Sequence, residues 1–198
     1  MKHGRHASAG PVVLLDKDGT LIEDLPYNVD PARIALAPGA AEGLPLLEAA
    51  GCCIAVVSNQ AGVARGMFAE SALEGVEQRL RELLADIGVT LHGFHYCPHD
   101  AAGSVARYRV ACECRKPAPG LIERAARALG AEPESAWVVG DILDDVEAGR
   151  RAGCRTVLIG EQPSVADLVA TDLLTAARQV LAVEGSGPRG REALEVPR

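Results

Sequence analysis

Aromatic residues are scarce in this chain, which has one Trp, three Tyr and two Phe among its 198 residues. Proteins that bind single-stranded nucleic acids stack bases on aromatic side chains, so this scarcity argues against such a function. The charge argues the same way: 20 basic residues face 27 acidic ones, and the formal net charge is −7. Nucleic-acid-binding domains are typically basic. We therefore expect no nucleic-acid partner.

Long apolar runs are also missing. A helix that crosses a bilayer needs about 20 consecutive apolar residues, and the first apolar run, 11–15, meets Asp16 at once. That run is also too short for a signal sequence. The six cysteines do not form a disulfide framework, because Cys52, Cys53 and Cys154 lie in or next to apolar runs. We expect a cytoplasmic protein with no membrane partner.

Short apolar runs alternate with longer segments of helical periodicity. The runs predict strands over 12–16, 52–58, 93–97, 136–140 and 156–159, and the segments between and after them predict helices over 40–50, 70–87, 119–129, 144–151 and 165–181. Continuously apolar strands indicate a parallel sheet covered on both faces. The alternation predicts an α/β fold with a doubly wound parallel sheet. We expect one domain over 11–183, with mobile tails over 1–10 and 184–198.

Polar residues follow several of the predicted strands. In open α/β sheets, ligands bind beyond the carboxyl ends of the strands. Asp16 and Asp18 follow the first strand, Ser58-Asn59-Gln60 the second, and Asp141 the fourth. Two carboxylates at this spacing can share a metal ion and face one ligand. Taken alone, the first two segments are equally typical of a polar turn. Carboxylates that open a helix, as Asp144 and Asp145 do, are equally typical of a helix cap, although Asp141 is less easily explained that way because it lies directly at the strand end. Arg115-Lys116 alone is typical of a solvated basic pair.

A cysteine- and histidine-containing loop gives the strongest local signal. Cys97-x-His99 is followed, after twelve intervening residues, by Cys112-x-Cys114. Three thiolates and one imidazole are a complete ligand set for a tetrahedral zinc ion, and a closed set indicates a structural site. We expect Zn²⁺ to stabilise this loop. The alternative is a chance cluster of buried cysteines.

Together these segments resemble the haloacid dehalogenase (HAD) superfamily of phosphotransferases. The segment Asp16-Lys17-Asp18-Gly19-Thr20 matches its first motif, Ser58 its second, Lys116 its third, and Gly140-Asp141 with Asp145 its fourth. The resemblance runs from about Val12 to about Leu181 and implies a HAD-like Rossmannoid fold. The chain is further similar to the zinc-loop subgroup of heptose 1,7-bisphosphate phosphatases and histidinol-phosphate phosphatases, through CPH, CECRKP and SNQAGVARG.

The resemblance implies a magnesium-dependent phosphatase that works through an aspartyl-phosphate on Asp16. Asp18 would act as acid and base, and Ser58 and Lys116 would hold phosphoryl oxygens, beside Arg115. Mg²⁺ would be held by Asp16, the Asp18 backbone carbonyl and Asp141. The residues that match substrate contacts in the heptose enzymes, with Arg65 added as a second cation, are Asp24, Leu25, Pro26, Tyr27, Ser58, Asn59, Gln60, Ala61, Arg65, Arg115 and Lys116.

One position departs from that subgroup: the residue after Asp141 is often basic there and touches substrate, whereas here it is Ile142. The short connections predict no cap domain, so the zinc loop and a flap over 23–38 would wall the site. We expect a monomer that acts on a small phosphorylated sugar or metabolite, most simply the 7-phosphate of D-glycero-D-manno-heptose 1,7-bisphosphate. The alternatives are a histidinol-phosphate or other small-metabolite phosphatase and, in another class, an inactive zinc-bearing phosphate-binding module.

Overall fold

Six strands form one parallel sheet within residues 10–186, the part of the chain that the structure, a computed structural model, describes. The strands are β1 (Val12–Leu15), β2 (Cys53–Asn59), β3 (Leu91–Cys97), β4 (Ala136–Gly140), β5 (Arg155–Ile159) and β6 (Leu168–Ala170). Their order in the sheet is β3-β2-β1-β4-β5-β6. The predicted doubly wound α/β fold is therefore confirmed. The predicted tails lie outside the described residues except for residue 10 and residues 184–186.

Helices cover both faces of this sheet. They are α1 (Ala40–Ala49), α2 (Ala61–Ala64), α3 (Ala72–Asp86), α4 (Gly120–Ala128), α5 (Leu143–Ala152) and α6 (Leu173–Gly185). Alternate residues of β1 enter two separate cores: Val13 packs with α1, α3 and α6, whereas Leu14 packs with α4 and α5. Because both faces are covered, the central strands β1 and β4 are apolar at every position, as the sequence pattern predicted.

The chain winds outward in opposite directions from β1. Since β1 lies between β2 and β4, with Leu15 opposite both Val56 and Val139, the segments that leave these three strands emerge side by side. A reversal of strand order leaves a crevice at the carboxyl ends of the strands. The fold therefore brings residues 16–20, 58–62 and 141–145 to one place.

The predicted helix over 165–181 is wrong at its start. Residues 168–170 form β6 instead, with Val157 opposite Leu168 and Ile159 opposite Ala170. Backbone pairing with β5 outweighs the helical pattern at this sheet edge. The helix begins only after Asp172, whose side chain accepts a hydrogen bond from Thr175 N. It then runs to Gly185, two residues past the predicted domain boundary at 183.

No cap domain interrupts the fold within residues 10–186. Only α1 lies between β1 and β2, apart from a single helical turn, and only α2 and α3 lie between β2 and β3. The flap over 23–38 and the loop over 98–115 are the long irregular segments near the crevice. Among the described helices, none combines the length and apolar character that crossing a membrane requires.

Candidate active site

Asp16 is the first residue after β1 and lies at the bottom of the crevice. It is 8% exposed, and its N–H donates to Val139 O at 2.8 Å. The chain then turns sharply at Gly19, whose φ is 77°. A Cβ atom at this glycine would lie 2.3 Å from Asp141 Oδ2, so only glycine lets the 18–19 backbone approach Asp141 this closely.

Three carboxylates converge beside this turn. Asp16, Asp141 and Asp145 each present an oxygen, and these oxygens lie within 4.8 Å of one another. Burial, and to a smaller extent repulsion from Asp16, raises the pKa of Asp141 to about 6. The Thr20 hydroxyl donates a hydrogen bond to Asp141 Oδ1 at 3.3 Å. Concentrated carboxylate oxygens are what Mg²⁺ prefers as ligands. The donor set and the close 18–19 backbone therefore fit the predicted magnesium site.

Lys116 supplies the cation of this cluster. Its Nζ lies 2.5 Å from Asp16 Oδ1 and 2.5 Å from Asp145 Oδ1, and it donates to Val57 O at 2.9 Å. Burial alone would lower the pKa of Lys116, but these two carboxylates raise it above the ordinary lysine value, so the ammonium stays charged. Burial and repulsion from Asp16 raise the pKa of Asp145 despite its lysine partner. The sequence analysis placed Asp145 in the fourth motif but predicted no contact for its side chain. In the structure, that side chain contacts Lys116.

The end of β2 provides polar groups that are already paired. Ser58 is 1% exposed, and its hydroxyl accepts a hydrogen bond from Gln60 Nε2 at 2.8 Å. Asn59 pairs with the backbone of Lys116 through both its amide oxygen and its amide nitrogen. The sequence analysis predicted that all three residues contact substrate. In the structure, Gln60 donates to the buried hydroxyl of Ser58, whereas Asn59 is paired with Lys116.

Sequence reasoning did not identify Lys17 as a site residue. Its side chain is 2% exposed, and its Nζ lies 2.6 Å from Asp18 Oδ1. Burial raises the pKa of the Asp18 carboxyl, and the Lys17 charge opposes that shift. From the sequence alone, a lysine between two aspartates is expected to be exposed to solvent. Its burial in the structure shows that Lys17 is instead paired with Asp18.

A cavity of about 310 Å³ opens above Lys17 and Asp18. Eight of the residues predicted to contact substrate line it: Asp24, Pro26, Tyr27, Asn59, Gln60, Ala61, Arg65 and Arg115. Leu25, Ser58 and Lys116 do not line this cavity, and neither does Ile142, which is 46% exposed. The structure thus gathers most of the predicted contacts around one opening.

Arg65 joins the two walls of this cavity. On the zinc-loop side, both its Nε and its NH2 lie 2.8 Å from Asp100 Oδ2. On the flap side, its NH1 donates to the Tyr27 hydroxyl, and its guanidinium lies over the Tyr27 ring. Tyr27 has a φ of 56°, a strained value for a residue with a side chain. Arg65 therefore connects the flap to the loop over 98–115.

Arg115 keeps more of its guanidinium available, because the only hydrogen bond of that group to a described residue runs from NH1 to His99 O.

The four predicted zinc ligands meet at the base of that loop. Cys97 Sγ lies 3.1 Å from Cys114 Sγ and 3.6 Å from Cys112 Sγ, and His99 Nδ1 lies 3.3 Å from Cys114 Sγ. Ligands of a tetrahedral zinc ion, held about 2.0–2.3 Å from the metal, are separated by similar distances. The donor set therefore fits a structural zinc ion. Cys52, Cys53 and Cys154 lie elsewhere in the fold as free thiols.

Known proteins resemble this chain across most of its length. The family model described as HAD-hydrolase-like matches residues 113–176. The D-glycero-beta-D-manno-heptose-1,7-bisphosphate 7-phosphatase of Yersinia pestis is 35% identical over 149 residues, which are 75% of this chain and 79% of that protein. The Pasteurella multocida protein of the same name is 38% identical over 148 residues, covering 74% and 80%.

A solved structure agrees with this result. The D,D-heptose 1,7-bisphosphate phosphatase from B. bronchiseptica, complexed with magnesium and phosphate, superposes with a TM-score of 0.75 at 28% identity. The match covers 87% of this chain and 99% of that one. The likeness thus extends from the sequence to the fold over most of this chain.

Proposed function

Because this chain belongs to the heptose-bisphosphate phosphatase family of HAD-type hydrolases, we propose that it removes the 7-phosphate of D-glycero-D-manno-heptose 1,7-bisphosphate with Asp16 as nucleophile. The chain is a phosphatase; the substrate and the residue roles are what we propose. The observation that carries them is the position of Asp16 at the strand-order reversal, with Lys116 Nζ 2.5 Å away and Asp141 beside it.

The reaction has two phosphoryl-transfer steps. In the first, a carboxylate oxygen of Asp16 forms a bond to phosphorus while the bond from phosphorus to the sugar oxygen breaks. Asp18, protonated at the start, gives its proton to that leaving oxygen. In the second, Asp18 takes a proton from water as the water oxygen bonds to phosphorus. The bond to Asp16 then breaks, which releases inorganic phosphate and restores both carboxyl groups.

Fixed positive charge and hydrogen-bond donors stabilise the transferring group. Lys116 and the Ser58 hydroxyl hold phosphoryl oxygens, and Arg115 adds charge from the wall of the cavity. Mg²⁺, when bound by Asp16, the Asp18 carbonyl and Asp141, supplies charge neutralisation between the carboxylate nucleophile and the phosphate. Lys17, whose Nζ lies 2.6 Å from Asp18 Oδ1, keeps this carboxyl oriented.

The residues that line the cavity wall support a sugar substrate that carries a second phosphate. Arg65 and Arg115 face the same 310 Å³ cavity as Asp24 and Tyr27, which gives cationic groups for an anion and polar groups for sugar hydroxyls. Zinc bound by the four-residue cluster would hold the loop that carries Arg115 and Lys116. Removing that zinc is expected to disturb both cations while leaving the carboxylates in place.

The decisive experiment measures phosphate release by Asp16→Asn and wild type with Mg²⁺. The panel contains both anomers of the heptose bisphosphate, histidinol phosphate and nucleoside monophosphates. We expect the heptose compounds to be preferred and Asp16→Asn to be inactive, while Asp86→Asn, a change on the exposed side of α3, keeps full activity. Unchanged release by Asp16→Asn would exclude it as the nucleophile.

The other outcomes identify the alternatives. Preference for histidinol phosphate would keep the phosphatase chemistry and replace the substrate. Binding of phosphate without turnover of any compound would favour an inactive zinc-bearing phosphate-binding module. The expected monomer is tested separately by sedimentation of the zinc-loaded protein.

A further inference from the structure

We infer that Asn59 is a positioning residue for Lys116 and not a ligand of the sugar, an assignment that rests on the proposed role of Lys116. Lys116 N donates to Asn59 Oδ1 at 3.0 Å, and Asn59 Nδ2 donates to Lys116 O at 2.9 Å. Both polar atoms of one side chain are thus paired with both polar backbone groups of one residue.

This pairing imitates part of a β-ladder. In an antiparallel sheet, two opposed residues exchange N–H and C=O hydrogen bonds in the same reciprocal way. The Asn59 amide presents an oxygen and an N–H side by side, so it substitutes for one residue of a neighbouring strand. The irregular segment that carries Lys116 therefore gains the backbone fixation that a strand would have.

The strand β2 holds Lys116 at both ends. Asn59 fixes the backbone, and Val57 O, two residues earlier on the same strand, accepts from Lys116 Nζ at 2.9 Å. With the main chain and the ammonium both tied to β2, the side chain has little freedom to move away from Asp16. Precise placement is what a preorganised cation needs, because displacements of about 1 Å can cost about 100-fold in rate.

A ligand role and a positioning role predict different kinetics. A group that binds the sugar contributes only to substrates that contain it. A group that positions Lys116 affects every phosphate ester equally, because all of them place a phosphoryl group against that lysine. Comparing the heptose bisphosphate with p-nitrophenyl phosphate, which has no sugar, separates the two.

The experiment measures kcat and KM of Asn59→Ala and Asn59→Asp with both substrates. Asn59→Asp keeps the oxygen that accepts from Lys116 N but places a second oxygen against Lys116 O, so it tests the pairing with little change of volume. We expect kcat to fall about 10- to 100-fold with both substrates, with KM nearly unchanged. The control is Gln179→Ala, which removes an amide that donates to Val169 O at the far edge of the sheet and is expected to keep wild-type kinetics.

A loss confined to the heptose bisphosphate, or a rise in KM alone, would overturn the positioning role. Thermal unfolding of each variant identifies any loss that comes from incomplete folding, and Asn59→Asp decides the matter if Asn59→Ala does not fold. If wild type hydrolyses p-nitrophenyl phosphate but not the heptose bisphosphate, the proposed substrate fails while the Asn59 comparison still stands on p-nitrophenyl phosphate.

Discussion

Replacing Lys116 with methionine is expected to destabilise the fold as well as abolish most activity. The change keeps an unbranched side chain of similar length but removes an ammonium that contacts Asp16 and Asp145 at 2.5 Å each and Val57 O at 2.9 Å. Lys116 is 2% exposed and Asp145 is fully buried. Water therefore reaches Asp16 only slightly and Asp145 not at all, so neither carboxylate is well solvated after it loses its partner.

The magnitude follows from this burial. Removing one partner of a buried ion pair costs about 3–5 kcal/mol, because an uncompensated charge stays behind. For a domain of this size, about 2–4 °C of Tm corresponds to each kcal/mol, so we expect the Tm of Lys116→Met to fall by about 6–20 °C. In phosphate release, the loss of one preorganised donor predicts a kcat about 100- to 1,000-fold lower.

The assay is thermal unfolding of the zinc-loaded protein followed by circular dichroism, first without Mg²⁺ and then with Mg²⁺. Mg²⁺ held by Asp16 and Asp141 would supply positive charge to Asp16, one of the two carboxylates that lose their partner, and should restore part of the lost stability. The control is Arg127→Met, which removes the exposed pair with Glu123 at 3.5 Å and should change stability by less than about 1 kcal/mol. If Lys116→Met without Mg²⁺ unfolded within about 1 kcal/mol of wild type, the buried carboxylates would not depend on this lysine and the reasoning would be refuted.

Three further outcomes are expected. Cys112→Ser should lower the zinc content measured by atomic absorption and reduce activity without removing Mg²⁺ binding, whereas Cys53→Ser should keep its zinc; a fully active, zinc-free Cys112→Ser would show that the loop stands by packing alone. Asp172→Ala should lower the free energy of unfolding by about 1 kcal/mol, because Asp172 caps α6. Hydrogen bonding to Thr175 N holds the pKa of Asp172 below its ordinary value, so this contribution is present at neutral pH and is lost as the pH falls through the folded-state pKa; denaturant titrations that show equal differences at neutral and strongly acidic pH would contradict it. Leu80→Ala, in the core between α3 and the sheet, should lower the free energy of unfolding by about 2–5 kcal/mol in chemical denaturation. A smaller loss would show that neighbouring side chains move into the space that the leucine side chain leaves.

The order of most strands and helices along the chain could be predicted because it follows from the residue pattern within each short segment. Apolar runs such as 12–15 and 136–140 are buried on both faces, and that burial requires apolar residues at every position. The edge strand β6 escaped prediction because its pairing with β5 depends on a distant partner. Asp167 accepts hydrogen bonds from the N–H and hydroxyl of Thr156, and these bonds fasten the segment to β5 before β6 begins. No local pattern carries that information.

The amino-acid sequence by itself determined the donor atoms of the site: the carboxylates at the strand ends, the Cys-x-His and Cys-x-Cys pairs, and the lysine of the third motif. Residue type and short spacing decide which atoms can bind a metal or a phosphate. Only the tertiary structure decided which groups those atoms meet. The ion pair between Lys17 and Asp18 depends on burial, and the pairing of Asn59 with Lys116 joins residues 57 positions apart. Hydrogen bonds act over about 3 Å, so partners this distant along the chain become visible only when folding brings their strands and loops together.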